Sequence, residues 1–394
     1  MTYGGRIARA SLLCVLLAAC GGGSKGPGAS TAKALPPANP QAVARMVEGV
    51  QAAKDASTRD KGVELLHAAI AIDPNLWEAR YDLGVLLANM GDLAGAEEQL
   101  AAAAKLAPDA QDVALALGEV RRRRGEHRAA ADALGDFVET HPNALDVRTL
   151  YVEALRDAGQ IDKAITEARD VLLRKPGDAS ALAELSLCHL AKGEKDAAAL
   201  LAKQALDANP HSAIAERATG LIALAGGDDA IAFQAFLKAT QEDPRDTTAR
   251  LNMGAVLLRA GAYTKAAEQY RAILQVLPDD DEAAIGLAAA LRGEADAQHP
   301  QKIEEARQLL EKVLTRNPHE TGALFNLAVM YVDVLKRPAD AVPLFRRFLS
   351  DAPNDHPSRG DAERYLSNIK AATPAAPLPP KPPTPSPSKP GAKP

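Results

Sequence analysis

Proline recurs along this chain at 74, 108, 142, 176, 210, 244, 278, 318 and 353, and the first six intervals are all 34 residues. Glycine keeps the same period at 91, 125, 159, 193, 227 and 261, each 17 residues before one of those prolines. Proline cannot continue a helix interior, because it lacks an N–H and its ring clashes with the preceding turn, whereas glycine turns freely. Each unit is thereby cut into two segments, each long enough for one helix. A unit repeated in this way stacks in line, and every copy buries its apolar face against the next.

The apolar positions agree. Within 77–110, Leu83, Gly84 and Leu87 share one face of the first segment, and Ala96, Leu100 and Ala103 share one face of the second, the stripes of amphipathic helices. Small residues recur where the two helices must approach: Gly84, Gly118, Gly220 and Gly254 in first helices, Ala96, Ala130, Ala164 and Ala232 in second ones. Val152 departs from this in the fourth unit, and Ser57 and Gly62 replace the turn glycine and the second-helix alanine in the first. Aromatic residues are only 4% of the chain, so alanine and leucine carry the core, which favours helices and excludes an all-β fold.

This pattern resembles the tetratricopeptide repeat (TPR), a 34-residue helix-turn-helix unit with a Leu-Gly pair in its first helix and a closing proline. The resemblance covers 43–355 as nine units. It implies an all-α, right-handed superhelix, an α-solenoid of about nine repeats. Residues 356–371 read as a capping helix for the last repeat, whose outer face would otherwise be exposed. The eighth unit carries six extra residues between Arg292 and Lys302, read as an enlarged turn. The stretch 372–394, with ten prolines, three lysines and no acidic residue, reads as an extended disordered tail and spacer, with a partner- or cell-wall-contacting segment as the alternative.

At the other end, Arg6 and Arg9 precede the apolar run Ala10 to Leu17, too short to span a bilayer, so 1–19 reads as an export signal. Leu17, Ala18, Ala19 and Cys20 resemble the lipobox of bacterial lipoproteins, which implies cleavage before Cys20 and acylation of its thiol. Residues 20–42, beginning Gly21-Gly22-Gly23-Ser24 and carrying Pro36, Pro37 and Pro40, read as a flexible tether. Gly21 after the cysteine resembles outer-membrane lipoproteins, so the expected location is the outer membrane, facing the periplasm. Cleavage removes Cys14 and two arginines and takes the net charge from −5 to −7. Cys188 then has no intramolecular partner and reads as a small buried hydrophobe.

Family geometry would place repeat positions 5, 9 and 12 on the concave face. They are mixed in the first half, with Tyr81, Glu119, Arg122, Glu153 and Arg156, and more apolar beyond. Leu187, Leu190, Leu221, Leu224, Leu251 and Leu258, with Arg217 interrupting and Phe325 further on, are the candidate partner-binding groove; tight curvature that buries these positions is the competing reading. Position 5 is never lysine, unlike the carboxylate clamps of co-chaperone repeats.

Other signals are weaker. A net charge of −5 gives no field that would draw the chain onto nucleic acid, and the run Arg121 to Arg124 sits at a helix end, where cations complement the dipole. Asp279-Asp280-Asp281 follows a closing proline and reads as a helix cap, without calcium-loop spacing. No catalytic or phosphate-loop motif occurs, and no metal or cofactor is expected beyond the covalent lipid. The expected function is a non-catalytic protein–protein interaction scaffold for envelope proteins or peptide segments, binding neither nucleic acid nor a small-molecule substrate. Overall resemblance leans toward the TPR lipoprotein of myxobacterial adventurous gliding motility. A pilotin, or an assembly factor for pilus, secretion or outer-membrane proteins, is the alternative, and an enzyme with an unrecognised site a distant one.

Overall fold

The computed structural model describes residues 36–295 and 299–372. Among them are nineteen α-helices and no strand. The chain divides into two compact units at His299 and Pro300.

The first unit holds α1 (Pro40–Ala53), α2 (Arg59–Ile72), α3 (Trp77–Met90), α4 (Leu93–Leu106), α5 (Gln111–Arg123), α6 (His127–Thr140), α7 (Leu145–Asp157) and α8 (Ile161–Arg174). It continues through α9 (Ala179–Ala191), α10 (Lys195–Ala208), α11 (Ala213–Gly226), α12 (Asp229–Glu242), α13 (Thr247–Arg259), α14 (Tyr263–Val276) and α15 (Asp281–Glu294). All six periodic glycines adopt positive φ, between 73° and 89°, so each occupies the left-handed conformation that ends a first helix. Aspartates open many of the helices; Asp280, in the acidic triplet, accepts a hydrogen bond from the Ala283 N–H at 2.7 Å.

Helix pairing rests on matched sizes. An added Cβ on Gly84 would lie 2.6 Å from Leu100, on Gly118 2.8 Å from Leu134, on Gly220 2.5 Å from Phe236 and on Gly254 2.7 Å from Tyr270. Each glycine thus leaves room for a large residue sixteen positions later. In the fourth repeat, where Val152 fills the glycine position, the residue sixteen on is Ala168, and both are fully buried. In the fifth, Ser186 faces Ala202 in the same register, and its buried hydroxyl donates to the Ala198 carbonyl at 2.7 Å. The Val152–Ala168 departure is therefore a compensated exchange that roughly conserves volume across the helix pair, and the Ser186 departure is accommodated by its hydrogen bond.

The first repeat starts earlier than the sequence pattern predicts. α1 begins at Pro40, inside the expected tether, because Asn39 caps it and proline suits the first helical turn, where its missing N–H has no partner to lose. Its turn lacks the glycine and is a 3₁₀ helix at Ala56–Thr58 introduced by Asp55. Gly49 and Gly62 let α1 and α2 touch closely.

The second unit holds α16 (Gln301–Arg316), α17 (Thr321–Asp333), α18 (Pro338–Asp351) and α19 (Arg359–Ala372). Phe345 and Phe348, both fully buried, centre its core, and Tyr365 from α19 stacks on Phe345 at 5.1 Å. Arg359 donates to the Leu349 and Ala352 carbonyls, satisfying groups at the end of α18. A terminal helix thus closes the last repeat, starting three residues later than expected because Pro353 to Ser358 form the turn.

The export signal, Cys20 and the start of the tether, Asp296 in the eighth-unit insertion, and the proline-rich tail lie outside the described residues. No helix among the described residues is long and apolar enough to cross a membrane.

Candidate functional site

Within the first unit the helices curl until distant repeats meet. The Arg245 guanidinium donates to Asn89 Oδ1 at 3.3 Å across 156 positions of sequence, and Pro278 packs against the turn at Gly91. This curvature forms an open-sided cavity of about 510 Å³ lined by residues of the third to seventh repeats. A second cavity of about 320 Å³, reaching Ala88 and Asn89, shares Glu119, Arg123, Asp243, Arg245, Thr247 and Leu277 with the first.

One wall is an ion-pair ladder on successive first helices. Arg122 on α5 meets Glu119, Glu153 and Asp157, each at 2.8 Å. Arg156 on α7 reaches Asp157 at 2.9 Å and Glu184 on α9 at 3.0 Å. Arg217 on α11 pairs with Asp246 at 3.0 Å and lies 3.6 Å from Glu153. Burial pushes the Glu184 carboxyl up, opposed by Arg156, and one of its oxygens has no hydrogen-bond partner. Glu119 is likewise pushed up by burial against the pull of Arg122. Burial also acts to raise Asp157, but Arg156 and Arg122 overcome it and hold its carboxyl below the usual range. Desolvated charges of this kind survive only with dense mutual pairing, so the ladder fixes the register of four repeats as well as the polarity of the wall.

The arginine run 121–124 disperses as its helical placement predicts. Arg121 and Arg124 bind Glu97, Arg122 joins the ladder, and Arg123 donates to the Ala88 carbonyl at 3.2 Å. Cys188 is a free, fully buried thiol, pushed up to about 12 by burial and by neighbouring Glu184. His189 turns instead to Glu194, at 2.6 Å. No cluster of metal-ligating side chains occurs among the described residues.

Of the eight candidate groove residues, only Arg217 lines the cavity. Leu187 is 5% exposed and packs in the core with Ala202 and Ala218, with Leu221 and Ile222 against that cluster. Leu190, Leu224, Leu251 and Leu258 are half-buried, and Phe325 belongs to the second unit, its ring 5.2 Å from that of Phe348. Leu187 is thus taken up by packing between repeats while the other candidate leucines stay partly exposed, and the wall of the cavity is charged. Sequence reading placed Glu119, Arg122, Glu153 and Arg156 on the concave face but missed Glu184, Asp246, Arg123 and Arg245. Arg245 and Asp246 follow a closing proline, outside any helical period, and only the curl of the unit brings Arg245 to Asn89 in the second repeat.

Tetratricopeptide-repeat family models match residues 54–120, 115–168, 152–213, 193–247, 216–281 and 301–356. The chain belongs to the tetratricopeptide repeat family. Among solved structures, the Cut9–Hcn1 hetero-tetramer of APC/C is similar with a TM-score of 0.56 at 14% identity, over 83% of this chain and 63% of that one. Yeast Tom70 is similar at 12% identity and a TM-score of 0.40, covering 84% of this chain and 95% of that one. PilF of Pseudomonas aeruginosa is similar at 18% identity and 0.47, covering 57% and 97%. No curated protein matches the chain. The TPR α-solenoid, a protein-interaction fold, is thereby established.

Proposed function

We propose that this TPR protein is a non-catalytic scaffold that holds extended segments of envelope proteins in its charged concave face. The observation that carries the reading is the polar cavity spanning five TPR units, whose ionisable groups are largely occupied in holding the wall. In this reading Cys20 bears the lipid, the anchor is the outer membrane and the solenoid faces the periplasm, supported by Leu17, Ala18, Ala19 and Cys20 in the sequence. Several acyl chains, at roughly 0.8 kcal/mol per buried CH₂, make such an anchor stable.

The favoured pathway is an envelope-spanning gliding motility machine, supported by the number of repeats and the proline-rich tail; pilotin or assembly-factor roles are the alternative. In-cell crosslinking of the native chain followed by mass spectrometry tests this: motility components, secretin subunits or outer-membrane assembly proteins would each name a pathway, and no specific capture would refute the scaffold. Cys20→Ala is expected to release the protein from membranes, and persistent membrane association of that variant without its partners would refute the anchor.

A further inference from the structure

The cavity holds two arginines that the ladder does not use. Arg123 and Arg245 line both cavities. Arg123 gives one Nη to the Ala88 carbonyl, and its other Nη is buried without a hydrogen-bond partner. Arg245 is exposed and makes no ion pair among the described residues, and its guanidinium donates the long 3.3 Å bond to Asn89. Burial lowers the Arg123 pKa, Glu119 opposes that shift, and Arg245, which lines the same cavities, adds a smaller lowering. A buried N–H without an acceptor costs free energy, and an anion that accepts from it relieves that cost.

We propose that the Arg123–Arg245 pair is an anion site that seats an acidic side chain of a partner segment lying in the cavity. This rests on the scaffold reading and names the chemistry of its cargo. The surroundings favour a carboxylate over a phosphate. Glu119 and Asp243 line the same space and offset part of the arginine charge, so the preference for a carboxylate rests on the apolar wall beside the pair. Leu115, Leu150 and Leu277 supply apolar wall beside the pair, suited to the methylenes of a glutamate. The whole chain carries a net charge of −5, so attraction of an acidic peptide would come from this local pair and not from the global field.

The test is fluorescence polarisation with two labelled, C-terminally amidated dodecapeptides, one alternating Ala and Glu and the other alternating Ala and Gln. The native chain is expected to bind the Glu peptide at least about tenfold more tightly, the scale of one charge-assisted hydrogen bond. Arg123→Gln and Arg245→Gln should each bring that ratio close to one, while Arg128→Gln, at an exposed position on α6, keeps it. Circular dichroism melts verify folding; Arg245→Gln carries the test if Arg123→Gln, which loses the Ala88 bond, is unstable. Equal affinity for the two peptides, binding of neither, or a preference retained in both folded variants would overturn the site. So would displacement of the Glu peptide by inorganic phosphate at a tenth of the acetate concentration needed at equal ionic strength, which would mark a phosphate site. Partners captured in cells without any acidic preference in vitro would sink the anion site alone and leave the scaffold standing.

Discussion

The glycine–aromatic contact in the sixth repeat can be exchanged for the valine–alanine contact of the fourth. Gly220 is buried on α11, and a Cβ added there would lie 2.5, 2.7 and 2.8 Å from three carbons of the Phe236 ring. Ordinary contact begins near 3.4 Å, so the fully buried ring would have to retreat by close to 1 Å. Overpacking of this kind costs about 1–3 kcal/mol, partly offset by the roughly 0.5 kcal/mol by which valine exceeds glycine in helix propensity. Phe236→Ala alone leaves a cavity and should cost about 3–5 kcal/mol. The double variant Gly220→Val with Phe236→Ala recreates the Val152–Ala168 pair, and the new valine fills part of the space left by the ring. Urea denaturation of the four proteins should therefore show the double variant more stable than the sum of the single losses by about 1–3 kcal/mol. Additivity within about 0.5 kcal/mol would refute the volume-exchange account of the Val152 departure.

Three further outcomes are expected. Glu153→Ala removes the carboxylate shared by Arg122 and Arg217 and should cost about 3–5 kcal/mol in urea unfolding, far above the roughly 0.5 kcal/mol of an ordinary surface change. Burial, with Glu78 nearby, pushes Asp82 from 3.8 up to about 7. A carboxyl raised on folding weakens the native state progressively from pH 4 to 7, so Asp82→Asn should raise the urea midpoint at pH 8 and leave it nearly unchanged at pH 4; the same gain at both values would contradict the assignment. Gly227→Ala meets no atom within 4 Å but sits at φ 81°, so pure strain of about 1–2 kcal/mol is expected, whereas Gly177→Ala, equally open and without positive φ, should be neutral in the same assay.

The fold was legible from the sequence because its signals are local. A proline every 34 residues, a glycine midway and stripes of alanine and leucine specify where each helix starts, stops and turns, using interactions within one unit or between neighbours. Even the compensated positions could have been found there, since Val152 and Ala168, or Gly220 and Phe236, stand sixteen residues apart in every case. α1 starts before the periodic pattern does, because Pro40 serves equally well in a tether and in a first helical turn.

The site was harder to read, because position on a helical wheel does not say how far the stack curls. Leu187 occupies a concave register in sequence, yet it packs against Ala202 and Ala218 in the core. The curl brings Arg245 to Asn89 across 156 residues, and Arg123 lines the same cavities. Repeat identity and helix boundaries follow from local sequence chemistry. The curvature of the charged wall was decided by small inter-repeat rotations that accumulate over seven units, and no single repeat encodes their sum.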